Sequence, residues 1–226
     1  MTSINRKTLI TKCVLFDMDG TLIDTTPLVE KHWKSYAEEH GLDAQKILEM
    51  SHGRRTIDTM KYWTPHHATP EIADMYERKL TLESEGVSIL PGVPSLLSAL
   101  PHDKYGICTS AKSYMAEARL QQCNMDIPKA LITADKVEHG KPDPEGYIRT
   151  GQILGFSGAD CVVVEDAPAG VEAAKRAGMH SIACLTTHSL EQLREAGADF
   201  IVNDLGDVDV VVLGDGRLEF TITNPL

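Results

Sequence analysis

Five short apolar runs punctuate the chain: residues 13–16 (CVLF), 105–108 (YGIC), 161–164 (CVVV), 181–185 (SIACL) and 200–202 (FIV). None of them alternates apolar with polar positions. Each therefore predicts a strand buried on both faces, as in a parallel sheet. Helical segments lie between them, at residues 113–123, at 169–177 ending on Gly178, and at 190–196 ending on Gly197. Glycine just past a helix accepts the left-handed conformation that stops it. Alternating strand and helix predict an α/β fold built on a doubly wound parallel sheet. Near the end, VVVLGDGRLEFTI places a Gly-Asp-Gly turn between two β-rich runs and predicts a hairpin.

Residues 25–90 break this rhythm. Thr26-Pro27 offers an N-cap and a proline at the first helical position, with Gly41 closing that helix. Thr69-Pro70 repeats the start signal ahead of EIADMYERKLTLESEG. No β-rich run separates these helices, so the region reads as a helical insertion between the first strand and the rest of the sheet.

Composition narrows the class. With 226 residues, 42% hydrophobic and 24% charged, the chain has room for one large domain carrying a modest insertion. It contains no run of eighteen apolar residues, so no membrane span is expected. MTSINRKTLITK lacks the apolar core and small-residue cleavage site of a secretory leader. Cys13, Cys108, Cys123, Cys161 and Cys184 form no CxxC pair. An odd number of cysteines, mostly in or beside apolar runs, reads as buried free thiols and a cytoplasmic location. The net charge of −11 argues against a nucleic-acid or anionic-membrane binder. A phosphate ester remains acceptable if a local cation meets it.

The first strand runs into Phe16-Asp17-Met18-Asp19-Gly20-Thr21. Two carboxylates two residues apart need compensation. An EF-hand loop starting at Asp17 requires glycine and glutamate where Leu22 and Leu28 stand. A sugar-nucleotide DxD has no accompanying signature. A plain strand-ending turn is the serious competitor, since Asp and Gly favour turns. Three other polar clusters follow apolar runs or open a helix: Thr109-Ser110, Glu165-Asp166, and Lys141 in HGKPDP. Open α/β sheets gather ligands at strand carboxyl ends, so these groups are expected on one rim with Asp17 and Asp19. Carboxylates for a divalent cation, donors for anionic oxygens and one lysine suit phosphoryl transfer. Mg²⁺ would bind carboxylates such as Asp17 and Asp166, Lys141 would supply a second cation, and a carboxylate nucleophile would form an aspartyl-phosphate.

FDMDGT, ICTS, HGKPDP and VVVEDAPAG, in that order, resemble the haloacid dehalogenase-like (HAD) phosphohydrolases. The resemblance covers nearly the whole chain. It implies a Rossmann-like catalytic core at 1–24 and 91–226 with a helical C1 cap at 25–90. It also implies Asp17 as nucleophile and Asp19 as general acid/base, with the Asp19 carbonyl on Mg²⁺. Thr109, the Ser110 amide and Lys141 would hold the phosphate. Asp166 would ligate the metal directly, and Glu165 directly or through water.

SHGRRT, TSAKS, TADKVEHGKPDPEGY and VEDAPAG are similar to the glycerol-3-phosphatase and 2-deoxyglucose-6-phosphatase group. That implies small sugar or polyol phosphates as substrates, and a monomer or weak dimer. Candidate cap contacts are Glu30, Trp33, His52, Gly53, Arg54 and Arg55. Arg55 lies where that group carries arginine, whereas Arg54 replaces the bulky aromatic of the glycerol phosphatases. The alternatives are a phosphomutase of the β-phosphoglucomutase type and an inert HAD-like binding protein; both aspartates, the lysine and the acidic pair argue against the second. His66-His67, Arg149 and Arg176 read as solvated surface. Met50, Met60 and Met75 read as helix contacts in the cap.

Overall fold

The computed structural model describes residues 5–226. Residues 1–4, which fall in the predicted core range and in the segment read for a leader, lie outside the described residues. The chain runs through β1 (Arg6–Thr11), β2 (Cys13–Phe16) and β3 (Ile23–Asp24) into α1 (Thr26–His40), α2 (Ala44–Ser51), α3 (Thr56–Trp63) and α4 (Pro70–Thr81). It returns through β4 (Ser88–Ile89) to α5 (Val93–Ser98), β5 (Tyr105–Cys108), α6 (Ser113–Gln122), β6 (Leu131–Ile132) and α7 (Glu145–Leu154). Then follow β7 (Cys161–Glu165), α8 (Pro168–Arg176), β8 (His180–Cys184), α9 (Leu190–Ala196), β9 (Phe200–Val202) and the hairpin β10 (Val208–Val212) and β11 (Leu218–Thr223).

Six strands form one parallel sheet in the order β6-β5-β2-β7-β8-β9. The continuous apolar runs have the expected cause. In β2, Val14 and Phe16 join the core on one face, while Cys13 and Leu15 join the core on the other. In β7, Val162 and Val164 divide from Cys161 and Val163 in the same way. Burying each such aliphatic side chain is worth about 1.5–3 kcal/mol, so both layers stabilise the central strands. The chain leaves β2 towards β5 on one side and later fills β7 on the other, which makes β2 the switch point of the sheet.

The helical insertion follows β2, the first strand of the parallel sheet, as read, but β2 is not the first strand of the chain. β1 precedes β2 and pairs antiparallel with β11, adding a third strand to the C-terminal hairpin. Arg6, Lys7 and Thr8 are polar and exposed, so RKTLIT carries none of the apolar continuity of a central strand. α1–α4 bury their own cluster around Trp33, Tyr36, Ile47, Met60 and Ala73. The chain enters and leaves them side by side, because β3 and β4 pair antiparallel through Ile23–Ile89 and Asp24–Ser88.

The helix starts differ in detail. Thr69 caps α4 as read, its hydroxyl accepting from the Ile72 amide at 3.3 Å. At α1 the cap residue is Thr25, not Thr26, and it makes no side-chain capping bond. Its hydroxyl is directed to Asp19 instead. All five cysteines are buried and unbridged. Met60 is buried in the insertion's core and Met50 is half-buried, but Met75 is 58% exposed, on the solvent side of α4. His66, His67, Arg149 and Arg176 are exposed, as read. No helix among the described residues is long and apolar enough to cross a membrane.

Candidate active site

The carboxyl ends of β2, β5 and β7 meet at the switch point, and each delivers its polar cluster there. Asp17 leaves β2 with its amide still bonded to the Val164 carbonyl of β7, at 2.9 Å. The chain then folds back tightly: the Leu22 and Ile23 amides both donate to the Met18 carbonyl. Gly20 makes this turn, at φ +88°. A Cβ there would stand 2.4 Å from Asp166 Oδ2, so glycine is needed for conformation and for space.

Lys141 arrives from the loop before α7 and is buried. Its ammonium donates to Asp17 Oδ1 and, at 2.7 Å, to Glu165 Oε1. Tyr147, on α7, donates to the same Glu165 oxygen at 2.9 Å. The amides of Asp166 and Ala167 occupy Glu165 Oε2 at 2.8 and 2.9 Å. Asp166 is set by two hydroxyls, Thr21 on Oδ1 at 2.8 Å and Thr187 on Oδ2. Asp19 accepts from Thr25 at 2.8 Å and from Thr109 at 3.4 Å.

Charge is unevenly matched in this pocket. Asp17, Glu165 and Asp166 are all buried, and one oxygen of each lies within 4.8 Å of the others. Burial pushes the Asp17 carboxyl above its ordinary range; Lys141 opposes the rise, and Glu165 and Asp166 add to it. Asp166 is pushed up to about 7, by burial first and then by Glu165. Asp19 is raised by burial against the Thr25 hydroxyl. Burial also disfavours the Lys141 ammonium, but Asp17 and Glu165 together outweigh it and hold its pKa above the usual lysine range. Three clustered carboxylates facing one lysine have a surplus of negative charge; both Glu165 oxygens already accept two bonds each, whereas the Asp17 and Asp166 oxygens keep lone pairs free. That donor set, all hard oxygen, fits a divalent cation such as Mg²⁺.

Asp17 and Asp19 floor a cleft of about 740 Å³, counting its open mouth. Trp33, His52, Gly53, Arg54, Thr109 and Ser110 line the same cleft. Ser110 Oγ donates to the Gly53 carbonyl at 2.8 Å, joining β5's loop to the insertion. Arg55 is diverted: it pairs with Asp58 at 2.6 Å, donates to the Glu138 carbonyl, and lines a neighbouring small cavity with Lys141. Glu30 is not brought to the cleft. It pairs with Lys34 at 2.7 Å and faces a separate groove beside His52 and His188.

Several residues here escaped the sequence reading. Thr21, Thr25 and Thr187 orient the aspartates, and Tyr147 braces Glu165. His32, Leu80, Met115 and Arg119 line the cleft. Thr21 and Tyr147 sit inside the FDMDGT and DPEGY stretches and were within reach of it; the others carry no local signal.

A family model described as haloacid dehalogenase-like hydrolase matches residues 14–184. Hexitol phosphatase A of Escherichia coli K12 is 35% identical over 210 residues, spanning 91% of this chain and 96% of that protein. 2-Deoxyglucose-6-phosphate phosphatase 2 of Saccharomyces cerevisiae is 34% identical over 240 residues, spanning 94% and 95%. Among solved structures, a hydrolase from Pseudomonas syringae superposes with a TM-score of 0.76 at 26% identity, covering 87% of this chain and 95% of that one.

Proposed function

Because the chain belongs to the haloacid dehalogenase-like hydrolases, as a phosphoric monoester hydrolase with sugar-phosphatase relatives, we propose that it is a Mg²⁺-dependent phosphatase of small sugar or polyol phosphates. Asp17 is its nucleophile, and residues 25–90 are its cap. The observation that carries this reading is the convergence of Asp17, Glu165, Asp166 and Lys141 below a cleft shared with Asp19.

In this account Thr109, the Ser110 amide and Lys141 seat the phosphoryl oxygens. An Asp17 oxygen attacks phosphorus, forming an O–P bond while the bond to the sugar or polyol oxygen breaks. Asp19 delivers its proton to that leaving oxygen. Burial raises its pKa above the ordinary carboxylate range, the direction that helps a carboxyl hold a proton for transfer. Asp19 then takes a proton from water, whose oxygen attacks the same phosphorus and frees Asp17. The Mg²⁺ ion would be held by Asp17, Asp166 and the Asp19 carbonyl, with Glu165 direct or through water, and supplies positive charge to the phosphate oxygens. The cap residues Trp33, His52, Gly53 and Arg54 close over the non-phosphate end and exclude water.

The test is a phosphate-release screen over glycerol, pentitol, hexitol, hexose and 2-deoxyhexose phosphates, with and without chelator. Ranked release that needs Mg²⁺ is expected. An isomerised sugar phosphate with no free phosphate would instead reveal a mutase.

Mg²⁺ should also stabilise the fold in a pH-dependent way. Asp166 is raised in the folded, metal-free protein, so that state holds more protons than the unfolded chain between the ordinary carboxylate range and about pH 7. The favourable contribution of the protonated group is present at low pH and lost as pH rises through its folded pKa. Metal binding relieves the resulting repulsion. The thermal shift on adding Mg²⁺ should therefore be larger at about pH 8 than at about pH 5. Equal shifts would contradict the carboxylate cluster as its site.

A further inference from the structure

Arg119 is a buried cation that the reaction above does not use. It lies on α6 at 2% exposure, and its guanidinium is bonded to uncharged oxygens. Nη1 donates to the Glu83 carbonyl at 2.5 Å and to the Gln122 side chain at 2.7 Å, and Nη2 to the Leu80 carbonyl at 2.7 Å. Leu80 belongs to the last turn of α4, and Glu83 to the segment leading back to β4. The Leu80 carbonyl also accepts the Glu83 amide at 3.0 Å, but carbonyls in a helix's last turn carry partial negative charge and have room for a further donor. A guanidinium with several donors matches them. Arg119 thus reaches from the sheet's helical layer to the end of the insertion.

The second observation is where this grip falls. Leu80 and Arg119 both line the cleft that holds Asp17 and Asp19. Burial presses the Arg119 pKa below its usual value, and Asp19 is the strongest influence opposing that. Packing alone is a weak reason for a buried arginine here, because the charge must be desolvated and an apolar side chain of similar length fills the same volume.

We propose that Arg119 is a positioning residue that fixes the Leu80 wall of the cleft, and with it the sugar or polyol end of the substrate, over Asp19. The substrate half of this statement rests on the phosphatase reading; the grip on α4 does not.

The test compares the wild type with Arg119→Met and with Arg119→Lys, which keeps a cation but loses the planar fork. For a hexitol phosphate, KM should rise about 10- to 100-fold in Arg119→Met, the size of losing charge-assisted bonds, with a smaller change in kcat. The loss in kcat/KM should exceed that for acetyl phosphate, a substrate with no polyol end, by about tenfold. Arg119→Lys should fall between wild type and Arg119→Met. Equal losses on both substrates mark a merely structural residue and overturn the proposal. Amide exchange in the substrate-free protein reads the grip separately. In either variant, residues 80–87 should exchange faster while β2, β5 and β7 do not, and unchanged exchange there overturns the grip. A wild type that releases no phosphate from any ester refutes the phosphatase reading instead, leaving the exchange arm to decide the grip.

Discussion

Asp17→Asn should lower the turnover of every phosphate ester by about 10⁴-fold or more, given how slow uncatalysed monoester hydrolysis is. The carboxamide keeps the shape of aspartate but gives up the anionic oxygen that must bond to phosphorus. The fold should survive. Asp17 is one of three buried carboxylates around a single lysine, and its raised pKa marks a charge that burial disfavours. Removing that charge leaves Lys141 paired with Glu165 at 2.7 Å. The melting temperature of the metal-free variant should therefore equal or exceed that of wild type. Loss of both activity and folding would place Asp17 in the architecture; near-normal turnover would remove it from the chemistry. Steady-state phosphate release alongside thermal melting separates the outcomes.

Asp19→Asn should cost about 10²- to 10⁴-fold in kcat on a polyol phosphate, the range of a general acid/base. A polyol alkoxide is a poor leaving group and needs its proton as the bond breaks. p-Nitrophenolate does not. The same variant should therefore lose much less on p-nitrophenyl phosphate in the step that forms the phosphoenzyme, measured as a burst of nitrophenolate. The asparagine carbonyl can still accept from Thr25, so the turn at Gly20 and the backbone carbonyl of residue 19 should hold their places. An equal loss on both esters would show that Asp19 positions groups and does not move the proton.

The parts of this arrangement that could be read from residues alone are those that burial forces into the sequence. β2, β5 and β7 are covered on both faces, so their positions must be continuously apolar, and the polar residues that end them stand out. Asp17, Thr109 and Glu165 were legible for that reason. β1 was not, because its first three residues are polar and exposed and it pairs with a strand more than 200 residues away. β6 has two residues, too few to show a period.

Side-chain geometry followed a different rule. Thr187 sets Asp166 from the loop after β8, and Thr25 sets Asp19 from the start of α1, through hydroxyl bonds that no local pattern announces. Arg119 carries no local signal of burial, because SYMAEARLQQ does not segregate apolar from polar positions sharply. Arg55 had a warning nearby. Asp58, three residues on, was in range to pair with it and does so in the structure, drawing the guanidinium from the cleft towards Glu138. Glu30 had the same warning in Lys34, four residues on along α1.

The most direct measurement is to mix the enzyme briefly with Mg²⁺ and a hexitol phosphate, quench in acid, and map the phosphoryl group by peptide mass spectrometry. The account predicts a hydroxylamine-sensitive acyl phosphate on Asp17, formed at least as fast as the enzyme turns over. Steady turnover with no phosphoenzyme, or with the phosphoryl group on another residue, would contradict it.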